Sequence, residues 1–305
     1  MKTLFSYIVI LFTALASMFF CQEANAQKIK GSNTITSEQR PISNDYQSLK
    51  VSQGIKVTLT TNQDPKAFIT ANDNIMPYVK VEKSGSELKV YLDNSKYKSF
   101  SNIKVSVQLP QNPKLNHIDA SSAAKVDVDQ AIDNSKVTAE ASSAAHIEFR
   151  GEVKAKTLYI KSSSAADIRI LDSNVDAIDA EATSAAEIEL KAKAESIKAV
   201  ASSAANIDVY TLCTHLVANG TSSAELSLSG KAKNLSINVS SAAEADADDL
   251  EVSGEAVLTA ASGAEISAWC NGTLNATASS GADIEWKGKA NAQIRKSSGG
   301  SVSKN

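Results

Sequence analysis

The sequence predicts an all-β fold: a single-stranded, right-handed parallel β-solenoid of about nine to ten coils, capped by an N-terminal β-domain. Three observations predict it. Nine copies of a pattern close to Ser-Ser-Ala-Ala begin at Ser121, Ser142, Ser163, Thr183, Ser202, Thr221, Ser240, Ala261 and Ser279, spaced 18 to 21 residues apart, with a degenerate tenth at Ser297. An acidic or polar residue and an alternating aliphatic run follow most copies, as in Asp167-Ile168-Arg169-Ile170 and Glu187-Ile188-Glu189-Leu190. Apolar residues recur with period two, and Ser, Thr, Asn and Gly break any stripe at 3.6, which excludes helix as the main element. A coil this short cannot bury a core alone and must stack on its copies. Right-handedness follows the general crossover rule, and a strand spacing of about 4.8 Å makes the stack a rod of about 45 Å.

Taken in chain order, residues 1–26 read as a secretory signal peptide. Lys2 supplies the positive start, Tyr7 to Phe20 a largely apolar stretch, and Ala24-Asn25-Ala26 the small-x-small cleavage site, so the exported chain starts at Gln27. The stretch is too short and poorly flanked for a membrane span, and no other segment approaches spanning length. Cys21 raises a lipoprotein reading, but Met18-Phe19-Phe20 places bulky residues where lipidation sites carry small ones. Its removal with the signal is the simpler reading.

Residues 27–118 form a different region, with all five prolines. Its alternating runs, Leu49 to Val51, Ile55 to Leu59, Val79 to Val81, Leu88 to Tyr91 and Ile103 to Val107, read as antiparallel-compatible strands. Ser84-Gly85-Ser86 signals a hairpin and Gln63-Asp64-Pro65 a turn. Such a cap covers the unpaired strand edge that an open solenoid end would present.

Residues 119–300 are the repeat solenoid, and 301–305 a polar tail. Counting by twos gives Ala180, Ala182, Ser184, Ala186, Ile188 and Leu190 in one coil, and the aliphatic ends fix this set as the inward face. The count places Ser122, Ser143, Ser164, Ser184, Ser203, Ser222, Ser241, Ser262 and Ser280 inside as a ladder of hydroxyls, each needing a hydrogen-bond partner. Gly151, Gly230 and Gly288 punctuate turns before a second strand.

These residues also resemble a known family. Tyr46 to Val57 (reading Tyr-Gln-Ser-Leu-Lys-Val-Ser-Gln-Gly-Ile-Lys-Val), Val79-Lys80-Val81-Glu82, Leu88-Lys89-Val90-Tyr91 and the junction from Pro113 to Ala124 are similar to the head GIN domain proteins, proposed auto-transporter adhesins common among Bacteroidetes. The family's repeats resemble Ser-Gly-Ser-Gly-Asp-Ile, a form approached here in Ser262-Gly263-Ala264-Glu265-Ile266 and Ser279-Ser280-Gly281-Ala282-Asp283-Ile284. The resemblance implies an exported β-helical protein with an adhesin-like role and lends no catalytic residues.

Composition narrows the function classes. With 31 basic and 34 acidic residues the net charge is −3, without the basic stripe of a nucleic-acid binder. The outward residues after each small motif form a column of His146, Asp167, Glu187, Asn206, Glu225, Glu244, Glu265 and Asp283. Its carboxylates Asp167, Glu187, Glu225, Glu244, Glu265 and Asp283 are the candidate binding face. Stacked like charges repel, so either solvent and nearby lysines screen them or a cation such as Ca²⁺ sits among them; the nonapeptide signature of Ca²⁺-binding β-rolls is absent.

Beside the column lies a stripe of small outward residues, Ser142, Ala144, Ser163, Ala165, Thr183, Ala185, Ser202 and Ala204. It is shaped to receive a glycan, a partner strand or another part of the same chain. Trp269 falls outward and Trp286 inward. Cys213 and Cys270 lie about three coils apart, on the order of 14 Å at the strand spacing, too far for a disulfide.

No residue set identifies a reaction. His117, His146 and His215 are scattered, and the pairs Asp127/Asp129 and Glu187/Glu189 are outward strand positions. The sequence therefore predicts a non-enzymatic, adhesin-like protein without a resident cofactor, acting at the surface, in the periplasm or in the medium. Its partner is a glycan, a host or matrix protein, or a second copy. An envelope scaffold and a carbohydrate-active β-helix enzyme are the rival readings.

Overall fold

The computed structural model describes residues 27–95 and 98–305. The segment read from sequence as a signal peptide, with its expected cleavage site and Cys21, lies outside the described residues. The chain winds as stacked parallel coils. In the coil at 136–149, the strand Lys136–Ser142 ends at a turn through Ser143 and Ala144, with φ of 54° and 59°, and the strand His146–Phe149 follows. In the middle of the stack the other corners are shallow enough to keep the ladder running. The strands there are 16 or 17 residues long: Asp167–Thr183, Glu187–Ser202, Asn206–Thr221 and Glu225–Ser240.

The inward parity predicted from sequence holds at the aliphatic positions. Ile147, Ile168, Ile188 and Ile207 pair in one column that continues through Leu226. A second column runs Leu158, Ile178, Ile197, Leu216 and Leu235. All are at most 3% exposed. Each such side chain contributes on the order of 1.5–3 kcal/mol by leaving water, so the stack is held by a continuous ribbon of small increments.

The serine column is the correction. Ser122, Ser143, Ser164, Ser184, Ser203, Ser222, Ser241, Ser262 and Ser280 are exposed and all have positive φ, between 53° and 58°. The residue after each is also left-handed, and two consecutive left-handed residues swing the middle of the motif out of the pleat. The motif's last alanine re-enters the core: Ala124, Ala145, Ala166, Ala186, Ala205, Ala224, Ala243, Ala264 and Ala282 are at most 2% exposed. Parity survives on both sides of the turn, which is why counting by twos concealed the bulge. Where a hydroxyl is buried it has a partner, as at Ser162, whose Oγ donates to the Ala166 carbonyl at 2.7 Å.

The N-terminal region joins the same ladder in an order the sequence does not announce. Ser48–Val51 and Lys56–Leu59 pair in parallel with His117–Ala120 and Lys125–Val128 on one side. On the other side they pair in parallel with residues 87–90 and 106–109. The first strands in this set are therefore sandwiched between later ones. Gln53 and Gly54, with φ of 63° and 69°, make the left-handed turn here.

Antiparallel strands then close this end of the stack. Val79–Ser84 folds onto Glu87–Leu92 through the predicted Gly85 hairpin. Lys66–Asn72 runs antiparallel to residues 105–108 and to Ile35–Pro41. Runs read as antiparallel-compatible thus pair both ways. Farther along, Ser301–Lys304, in the predicted polar tail, adds a parallel strand to residues 283–286. Among the described residues the only helical element is the 3₁₀ turn Met76–Tyr78.

Candidate binding face

The strand after each left-handed turn presents alternate residues outward, and parallel pairing without slippage in this column turns the predicted set into a physical line. Asp167, Glu187, Asn206, Glu225, Glu244, Glu265 and Asp283 are successive register partners, with His146 before Asp167. Neighbouring strands lie about 4.8 Å apart, so Glu225, Glu244 and Glu265 are exposed like charges at close quarters. Two residues along lies a second column missed as a unit by sequence reasoning: Glu189, Asp208, Ser227, Asp246, Ser267 and Glu285. Its signal was present in the same period-two count.

The cations of this face sit toward its margins. Arg169 Nε meets Glu189 Oε2 at 3.1 Å, and Lys287 Nζ meets Asp248 Oδ2 at 3.8 Å. The first column changes sign along the rod: Lys56 and Lys125 occupy its N-terminal rows, His146 the next, and carboxylates most of the rest. At the sign change, His146 Nδ1 hydrogen-bonds Asp167 Oδ1. Asp127, predicted as a plain outward carboxylate, is only 1% exposed there, covered by Lys56 and Arg150. Arg150 donates to Glu148, whose carboxyl it holds below the usual range.

An apolar ridge borders the acidic face. Tyr210 and Leu212 are 58% and 56% exposed and Leu171 41%. A groove of about 430 Å³ runs between Leu171, Tyr210, Glu189, Asp208 and Asp246. Another of about 340 Å³ lies across Tyr210 beside Lys191, Lys193, Leu212 and Lys231. The period-two count places Tyr210 outward as it does Trp269. Trp286 is buried, with Lys304 Nζ 4.6 Å from its ring centroid, and Trp269 is partly exposed under Lys287.

Elsewhere the titratable groups do not converge. His215 Nδ1 lies 3.3 Å from Asn234 Nδ2, and His117 Nε2 lies 3.8 Å from Glu140. Cys213 and Cys270 are free and buried, in one column separated by Ala232 and Val252. Burial pushes both thiols up, Cys270 to about 11. Such thiols are poor nucleophiles at neutral pH.

Comparison with known proteins follows the fold. The family model described as "Putative auto-transporter adhesin, head GIN domain" matches residues 45–219 and 191–290. A crystal structure of a putative adhesin from Parabacteroides merdae ATCC 43184 is similar at a TM-score of 0.63 and 16% identity, over 91% of this chain and 99% of that one. A putative lipid binding protein from Parabacteroides distasonis ATCC 8503 is similar at 0.58 and 17%, over 92% and 100%. A putative adhesin from the same organism gives 0.51 and 18%, over 92% and 100%. At these identities the likeness is one of fold. A search of the curated proteins returns no match.

Proposed function

From the premise that the chain belongs to the head GIN domain family, we propose that it is an exported, non-enzymatic, adhesin-like binding protein that uses its long lateral face. One observation carries the reading: Glu225, Glu244, Glu265 and Asp283 are direct register partners on consecutive coils. Their repulsion is a standing cost to folding, one that a ligand bringing opposite charge to this face would relieve. Polar groups repeated at strand spacing suit many weak contacts along an extended ligand, whose affinities multiply when the contacts are linked. They do not suit one convergent reaction centre. The ridge at Tyr210 and Leu212 supplies aromatic and apolar area beside the carboxylates.

Export rests on the N-terminal signal of the sequence. No helix of the described residues is long and apolar enough to cross a membrane.

The test is binding of the purified chain to glycan and matrix-protein arrays, with and without Ca²⁺, beside the triple variant Glu225→Lys, Glu244→Lys, Glu265→Lys. Capture that the variant weakens at least tenfold supports the acidic face. Silence on both arrays with concentration-dependent self-association points to an envelope scaffold. Turnover of a polysaccharide would end the non-enzymatic reading.

A further inference from the structure

The cluster at the sign change carries a second, independent inference. Asp127 stands on the strand Lys125–Val128, and His146 and Glu148 on the next strand in the stack, with Asp127 and Glu148 as register partners. One ligand atom from each residue lies within 4.8 Å of the others. We propose that Asp127, His146 and Glu148 bind a divalent transition-metal ion of the Zn²⁺ type.

Three features separate this trio from the ordinary ion pairs of the surface. Asp127 Oδ1 and His146 Nε2 are both buried without a hydrogen-bond partner, and the Asp127 side chain is 1% exposed. A buried polar atom left unmatched is uncommon in folded proteins. Lys56 occupies the other carboxylate oxygen, Oδ2, at 3.0 Å, whereas Oδ1 has no hydrogen bond and only the longer ion-pair contacts of Arg150 Nη2 at 3.3 Å and Lys125 Nζ at 3.7 Å.

The second feature is the orientation of the imidazole. Asp167 Oδ1, from the following coil, hydrogen-bonds His146 Nδ1. A carboxylate only accepts, so Nδ1 donates, and in the neutral ring Nε2 then carries the lone pair, 3.9 Å from Glu148 Oε2. A carboxylate on the far nitrogen is the arrangement that orients metal-binding histidines. Asp167 is thus a positioning residue.

The third is charge. Four carboxylates (Asp127, Asp129, Glu148, Asp167) face three permanent cations (Lys56, Lys125, Arg150), leaving one negative charge uncompensated. Arg150 Nη2 lies 2.6 Å from Glu148 Oε2 and 3.3 Å from Asp127 Oδ1, between two of the ligands, while its Nη1 reaches Asp129 at 3.2 Å. Its side chain is 43% exposed, free to turn outward onto Asp129 alone. Metal bonds of about 2.1 Å hold tetrahedral donors roughly 3.4 Å apart. The trio therefore closes by side-chain rotation once the guanidinium leaves. Imidazole with carboxylates suits Zn²⁺ and its neighbours, whereas Ca²⁺ takes oxygen ligands.

The experiment is calorimetric titration of the chelator-treated full chain with Zn²⁺, paralleled by visible absorption with Co²⁺ as the probe. One equivalent per chain is expected. His146→Ala, with His146→Gln as a second variant and circular dichroism to confirm folding of each, abolishes it. Asp167→Asn weakens binding about 10- to 100-fold, and Arg150→Ala tightens it by removing the competing cation. A cluster that is only an ion-pair network responds oppositely: Arg150→Ala lowers thermal stability and creates no binding. Absence of one-to-one binding tighter than about 1 mM, or binding unchanged in folded His146→Ala, overturns the proposal.

Discussion

The backbone amide of Ala165 donates a 3.0 Å hydrogen bond to the carbonyl of Ser184 in the next coil, and the same contact joins Ala185 to Ser203 and Ala204 to Ser222. The outer corner of the rod is therefore a ladder of left-handed turns, hydrogen-bonded turn to turn, and most of its residues are not glycine. An L residue in the left-handed region costs about 1–2 kcal/mol, partly offset by the about 0.4–1 kcal/mol that glycine costs through the unfolded chain. Ala165→Gly, Ala185→Gly and Ala204→Gly together are expected to stabilise by about 2 kcal/mol, a rise of about 3–4 °C in the thermal midpoint for a chain of this size. Gly281→Ala is the control. Its Cβ would meet nothing within 4 Å, so its loss of stability reads the backbone term alone. No rise in the triple variant would mean the turns are not strained.

Gly230 tests the opposite limit. Its φ is +104°, and a Cβ there would stand 2.0 Å from the Thr211 carbonyl oxygen of the preceding coil. The contact is with backbone in a paired strand, which has no room to yield. Gly230→Ala is expected to destabilise by more than about 2 kcal/mol, measured as a lower urea midpoint, whereas Gly263→Ala, whose Cβ has open space, loses less. Equal losses would show that the close approach is immaterial.

These two glycines also mark what the sequence made legible. The isoleucine column of Ile147, Ile168, Ile188 and Ile207 was readable because burial in a strand repeats every second residue. The spacing of 18 to 21 residues sets the register directly. The outward swing of Ser143 and Ala144 was not, since two left-handed residues shift no later position and leave the parity intact. The stacking order of residues 48–59 between 87–109 and 117–128 was hidden for another reason: that region has no repeat to count. Among the candidate residues, the Glu225 to Asp283 line followed from the same parity. The burial of Asp127 did not, because it depends on Lys56 and Arg150 folding over it from strands distant in sequence. The exposure of Tyr210 was legible from the same parity, which puts it on the outward count of its strand.

Tyr46 is fully buried, and burial pushes its phenol up to about 12. Below about pH 10 both folded and unfolded chains hold the proton and the contribution is complete. Between about 10 and 12 the unfolded chain releases it first, so stability falls as pH rises, by on the order of 2–3 kcal/mol across the window. Tyr46→Phe has no proton to lose there. Urea midpoints from pH 8 to 12 are expected to converge or cross in favour of the variant at high pH. Parallel curves would remove Tyr46 as the source.

The acidic line makes the last prediction. Glu244 is exposed between Glu225 and Glu265, its direct register partners, and no lysine or arginine ion pair reaches these three among the described residues. Like charges directly opposite on paired strands destabilise by roughly 0.2–1 kcal/mol per pair. Salt screens them, with a Debye length of about 10 Å at 0.1 M and about 3 Å at 1 M. The thermal midpoint is therefore expected to rise between 0.05 and 0.5 M NaCl. Glu244→Lys replaces two repulsions with two attractions, so it should raise the low-salt midpoint by a few degrees and flatten or invert the salt slope. Glu140→Lys is the comparison, because that residue lies on another face with one like and one opposite charge as its register partners, Asp119 and Lys161, so the swap leaves the balance of neighbours unchanged. A Glu244→Lys variant no more stable than wild type at low salt would show that the column is relieved by something other than screening.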